Sequence, residues 1–192
     1  MAINSTIFKA DIQITDLDRN YFEGHNLTLA RHPSENDERM MIRLLAFAKH
    51  AHEYMGFTKG LCADDEPELW QKSLSDEIDV WIDLGQPDEK RIRKACGRSK
   101  QVFIYTYNTR SALIWWEQVK NKLSRFENLQ VLVVPDDAVT SMGKMAKRNM
   151  QLQYMIQDGE VMFSNGEDSI SIQTTTRDYK PYGFLFFRRK SP

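Results

Sequence analysis

Two aspartates four residues apart, Asp79 and Asp83, lie in a strand-like run that ends in glycine and leads into a cation-rich stretch. From Ile78 to Leu84 the residues Ile78, Val80, Ile82 and Leu84 alternate with Asp79, Trp81 and Asp83, the period of a strand with one apolar face. Gly85 ends that strand, and Pro87 falls where the first turn of a helix tolerates it. Asp88 and Glu89 suit the positive end of this helix, and Gly97 suits its C′ stop. Carboxylates at a strand end, a short turn and a cationic helix are the parts of a site for a metal ion and a phosphate. The same parts also make a solvated, ion-paired edge worth little to stability. Asp79 and Asp83 share a strand face but stand ~13 Å apart at ~3.3 Å per residue. Mg²⁺ binds its oxygens at about 2.0–2.1 Å, so these two do not grip one ion directly.

Other reactive side chains offer less. Cys62 and Cys96 lack metal-ligand spacing and an adjoining histidine arrangement, which reads as two reduced thiols in a cytoplasmic protein. His25, His32, His50 and His52 have no zinc spacing with them; His32 before Pro33 fits a phosphate contact at a helix start. Asp16-Leu-Asp18-Arg19 looks like a metal loop but lacks the glycine and distal glutamate of an EF-hand. Trp81, Trp115 and Trp116 could stack on bases, although large aromatics more often pack in a core.

The elements that must position these residues belong to a chain of 192 residues, 41% hydrophobic and 28% charged, which fits one globular domain, 1–192. Twenty-six basic against twenty-seven acidic residues, a net charge of −1, argue against a dedicated duplex-DNA binder. No apolar run approaches a membrane span, and no signal-peptide core opens the chain. The pattern predicts an N-terminal hairpin over 1–30, turning at 16–20. A helix follows from a Ser34 cap, with Asp37 three residues on, to about Met55, with Met41, Leu44, Leu45 and Ala48 in its buried stripe. A helix of one or two turns is expected behind the acids at 64–66 and Pro67. A strand over 102–107, a helix over 111–123, an apolar strand over 129–134 and a short helix over 138–147 come next. Strands at 150–157 and 160–164 flank an Asp158-Gly159 turn, with a further strand over 168–175. The tail, 176–192, carries Phe184-Leu-Phe-Phe187 and is expected to dock on the body. The middle, 34–134, alternates strand and helix, so a mixed sheet with helices on its faces is expected, with hairpins added at both ends.

Several runs together resemble the bacterial YaeQ family: Ala30-Arg-His-Pro-Ser-Glu35 with Glu38-Arg-Met-Met41, Phe57-Thr-Lys-Gly-Leu-Cys-Ala-Asp-Asp-Glu-Pro-Glu-Leu-Trp70, Trp81-Ile-Asp-Leu-Gly85, and Trp115-Trp116. The resemblance covers essentially residues 1–175. It implies an α/β core of the PD-(D/E)XK (restriction-endonuclease-like) kind and no established activity. That superfamily's pattern needs a helix carboxylate, a first strand acid and an Asp/Glu-X-Lys on the next strand, holding Mg²⁺. By that pattern Glu35 is the helix acid, Asp65 or Glu66 the first strand acid, and Asp83 the second. The lysine position holds Gly85, so the charge must come from elsewhere. Arg91, Lys94 and Arg98 share one helix face; Lys94 is the first substitute and Arg91 the second.

Two functions follow from this resemblance. One is Mg²⁺-dependent phosphodiester hydrolysis on DNA or RNA. The other is a non-catalytic module on a degenerate nuclease fold, binding nucleic acid or protein. The acids favour the first; the missing lysine and neutral charge favour the second.

Overall fold

Strict alternation of buried and exposed residues carries both ends of the chain into long strands. The computed structural model describes residues 5–60 and 65–177. Cys62, Asp64 and the aromatic and basic tail over 178–192 lie outside them. β1 (Thr6–Asp16) and β2 (Tyr21–Arg31) form the expected hairpin, paired antiparallel along their full length. α1 (Asp37–His50) follows, then β3 (Met55–Phe57), β4 (Leu69–Lys72) and β5 (Ile78–Leu84). Next come α2 (Glu89–Arg98), β6 (Ser99–Thr106), α3 (Thr109–Leu123), β7 (Leu129–Val133) and α4 (Asp136–Lys144). The described part ends with β8 (Asn149–Gln157), β9 (Glu160–Ser164), β10 (Ser169–Gln173) and β11 (Thr175–Thr176).

The strands build two mixed sheets, where one was expected. A five-stranded sheet runs β10-β9-β8-β1-β2, and a six-stranded sheet runs β11-β7-β6-β5-β4-β3. The N-terminal hairpin is no appendage, because β8 returns to lie parallel against β1, Lys9 opposite Asn149. β5, β6 and β7 are parallel neighbours joined through α2 and α3, the connection that parallel strands require. One apolar cluster joins the inner face of the five-stranded sheet (Ile12, Leu29, Tyr154), α1, α4, and the Val80, Ile82 and Leu84 face of β5. A second cluster packs Trp81, Ile104 and Val131 of the other face against α2 and α3. The layers therefore run sheet, helix, sheet, helix. Between two sheets, α1 is buried on every side from Met40 to Ala48, wider than the single stripe expected of it.

Local corrections have local causes. The cap of α1 is Asn36, whose side chain accepts from the Arg39 amide; Ser34 instead pairs its hydroxyl with His32 Nδ1 at 2.6 Å. The helix stops at His50, and Met55 opens β3. The helix expected behind Pro67 is strand β4, because Leu69 pairs with Ile82 and Trp70 with Trp81. Asp88, one residue after Pro87, caps α2, and Gly97 lies within that helix.

Candidate functional site

Asp83 is the last acid of β5, a residue only 2% exposed. Strand alternation turns it, with Trp81, toward α2. Arg91 of α2 donates Nη2 to Oδ1 at 2.7 Å and Nε to Oδ2 at 3.0 Å, a bidentate pair. The Trp81 indole donates to Oδ2 at 3.0 Å. Arg91 Nη2 also donates to the Glu66 carbonyl at 2.7 Å. One guanidinium thus ties the start of α2 to the end of β5 and to the segment leading into β4. The residue two beyond Asp83, Gly85, has φ +87°, a conformation that L side chains rarely adopt. The backbone has left the strand where a nuclease-like lysine would stand.

Asp65 and Lys94 meet as an exposed ion pair. The Lys94 hydrogen bond and charge hold the Asp65 carboxyl below its usual range. Arg98 donates to the Asp65 carbonyl at 3.3 Å. Glu66 directs Oε2 to the Lys59 amide at 3.4 Å. The chain thus brings Asp83, Arg91, Lys94, Asp65 and Glu66 into one neighbourhood, where Asp83 is paired with Arg91 and Asp65 with Lys94.

Glu35 lies elsewhere, on the α1 side of the six-stranded sheet. Arg39 donates to its Oε1 at 2.8 Å and Arg43 to its Oε2 at 3.0 Å. Glu68, which the sequence pattern passed over, completes this cluster: Arg39 bonds it directly, and Arg43 Nε stands 3.6 Å from its Oε2. Glu35, Arg43 and Glu68 are all buried. Burial pulls the Arg39 pKa down, but Glu68 and Glu35 outweigh it, so the net shift is upward. Burial raises the nearby Tyr107 hydroxyl. A signal for this cluster exists in the sequence, since Glu35, Arg39 and Arg43 recur every four residues, the spacing of one helix face.

These residues do not fit Mg²⁺. Glu35 and Asp83 serve opposite faces of one sheet, and both oxygens of each are engaged by arginine. Among the described residues no group of three or more His, Cys, Asp or Glu is placed to hold a metal ion. Burial pushes the Cys96 thiol up to about 11, which keeps it protonated and inert. Trp81 and Trp116 pack in the second core cluster, and Trp115 donates its indole N–H to the Pro87 carbonyl at 2.8 Å.

A cavity of about 710 Å³ lies on the other sheet, on the face turned away from α1. Outward side chains stand there in two rows across β8, β1 and β2: Asn149, Lys9 and Thr28, then Gln151, Asp11 and Asn26. Their polar ends face solvent, unlike the paired acids near α2.

The YaeQ protein family model matches residues 1–174. The uncharacterized protein YaeQ of Escherichia coli K12 is 49% identical over 175 residues, covering 91% of this chain and 97% of the relative. That of Salmonella typhi is 48% identical over the same length and shares. The crystal structure of the YaeQ protein from Xanthomonas axonopodis pv. citri superposes with a TM-score of 0.87 at 43% identity, covering 90% of this chain and 98% of that one. The Pseudomonas syringae YaeQ structure gives 0.86 at 34% identity, covering 92% and 98%.

Proposed function

This chain belongs to the YaeQ family, and we propose that it works as a non-catalytic binding module on an α/β scaffold, not as a metal-dependent phosphodiesterase. The observation that carries this reading is the saturation of Asp83 by Arg91 and Trp81. A metal ion there would have to displace the guanidinium and leave it facing the cation. Buried ion pairs resist such changes, because removing one partner leaves an uncompensated charge. The relation to the PD-(D/E)XK nucleases is then architectural. Strand, turn and cationic helix persist as a joint that locks α2 onto β5.

The open face of the five-stranded sheet supports the binding half of the proposal. Its amides, Lys9 and Asp11, exposed among the described residues, offer donors and acceptors to a macromolecular partner, nucleic acid or protein. The chain is read as cytoplasmic; no described helix is long and apolar enough to cross a membrane.

Incubation of the protein with Mg²⁺ or Mn²⁺ and plasmid DNA, single-stranded DNA or RNA tests the reading. Intact substrates are expected, and calorimetric titration with either metal should not distinguish wild type from Asp83→Asn, which keeps the shape of the hydrogen-bonded group. Metal-dependent cleavage that Asp83→Asn abolishes overturns it.

A further inference from the structure

Among the described residues three of the four sheet edges are short: β10 has five residues, β11 two and β3 three. The fourth, β2, has eleven, and among the described residues it pairs on one side only, with β1. Proteins usually blunt a long edge with lysine, proline or a bulge, because its free N–H and C=O groups template another strand. β2 contains neither lysine nor proline, its one exposed charge is Glu23, and its register with β1 runs unbroken from Thr6 opposite Arg31 to Asp16 opposite Tyr21.

The direction of its backbone groups follows from two hydrogen bonds. Lys9 N–H donates to the Arg148 carbonyl at 2.9 Å, on the β8 side, so Lys9 turns its amide away from β2. Its partner Thr28 must therefore turn its own N–H and C=O away from β1, as residues of a non-hydrogen-bonded antiparallel pair do. Alternation extends this to Phe22, Gly24, Asn26 and Ala30. Consistently, the Ala30 carbonyl accepts from Arg43 at 3.4 Å, which caps that end of the edge. Phe22, Gly24, Asn26 and Thr28 remain, uncharged and exposed.

We propose that this edge is a homodimer interface, in which β2 of one protomer pairs antiparallel with β2 of its partner about a two-fold axis at His25. That register sets Phe22 opposite Thr28 and Gly24 opposite Asn26, and the reverse. The four outward-facing residues other than Ala30 then find ladder partners in a copy of themselves, which is what an isologous contact demands. Glu23 meets Leu27, so no like charges oppose each other. The two five-stranded sheets become one continuous sheet. The partner's Phe22, 53% exposed in the single chain, comes beside Thr28 at the rim of the polar cavity.

Light scattering after size exclusion, run on the full chain up to ~100 μM, a range that detects weak association, should give twice the 22.5 kDa chain mass. Hydrogen exchange should show the amides of Phe22, Gly24, Asn26 and Thr28 gaining protection as concentration rises. Asn26→Pro removes one ladder donor at an edge position that tolerates proline and should raise the dissociation constant at least ~10-fold. Thr28→Lys, a milder gatekeeper, should act in the same direction and decides the matter should the proline variant lose its circular-dichroism signal. A monomer throughout the concentration range overturns the proposal. So does a dimer that leaves those four amides unprotected or ignores both substitutions, since it would use another face.

Discussion

His50 shows how a single half-buried side chain couples this fold to pH. Its Nε2 lies 2.8 Å from the Tyr105 hydroxyl, and its ring lies against Phe103 with centroids 4.1 Å apart. Burial first, then the charges of Arg19 and Lys49, push its pKa down to about 3 from an ordinary 6.5. Between those values the unfolded chain binds a proton that the folded chain refuses. His50 therefore costs no stability above the ordinary value and destabilises progressively as pH falls below it, by at most ~1.4 kcal/mol per pH unit. The urea midpoint should drop between neutral pH and pH 5. His50→Gln, which cannot titrate, should flatten the dependence of unfolding free energy on pH by about one proton equivalent across that window. A slope identical in the two proteins would show that the imidazole is already charged in the fold.

At the scale of elements, the Glu35–Arg39–Arg43–Glu68 cluster joins α1 to the segment that enters β4. α1 cannot place two arginines between two sheets unless carboxylates meet them there, because an unpaired buried charge is far costlier than a paired one. Glu68→Gln should destabilise the protein by about 3 kcal/mol, as breaking a buried pair does. Adding Arg43→Met should recover part of that loss, with a coupling of at least ~1 kcal/mol between the two sites. Chemical denaturation of the two single variants and the double variant measures it; strict additivity would mean that Glu68 and Arg43 do not share one interaction. The periodic elements were legible in advance: the hairpin, β5, the helix behind it, the two-tryptophan helix and the Asp158-Gly159 hairpin all stand close to their expected bounds. β3 and β4 were not. They are three and four residues long, too short to show a period, and they owe their conformation to pairing with each other and with β5.

Over the whole molecule, one core cluster draws on both sheets, so neither sheet has a complete apolar interior without α1 and the other sheet. Unfolding should accordingly be a single cooperative transition. All four tryptophans, Trp70, Trp81, Trp115 and Trp116, belong to the six-stranded half, whereas far-ultraviolet circular dichroism reports both halves. Urea curves followed by the two signals should superimpose. A tryptophan transition displaced from the dichroism transition would mean that the halves melt as separate units.

Polarity along the chain was enough to place most strands and helices, since each residue's burial there is set by neighbours two or four positions away. It also marked Asp83, Arg91 and Lys94 as neighbours, because strand, turn and helix are contiguous in sequence, whereas Asp65 or Glu66 entered only through the family resemblance. What folding alone decided is long-range. Arg39 finds Glu68 twenty-nine residues on, and β8 comes back to β1 to create a second sheet. Strand alternation then sends Glu35 and Asp83 to opposite faces of the other sheet. An acid's role depends on which charge lies a few ångströms from its oxygens, and local spacing cannot supply that when the partner arrives from another layer.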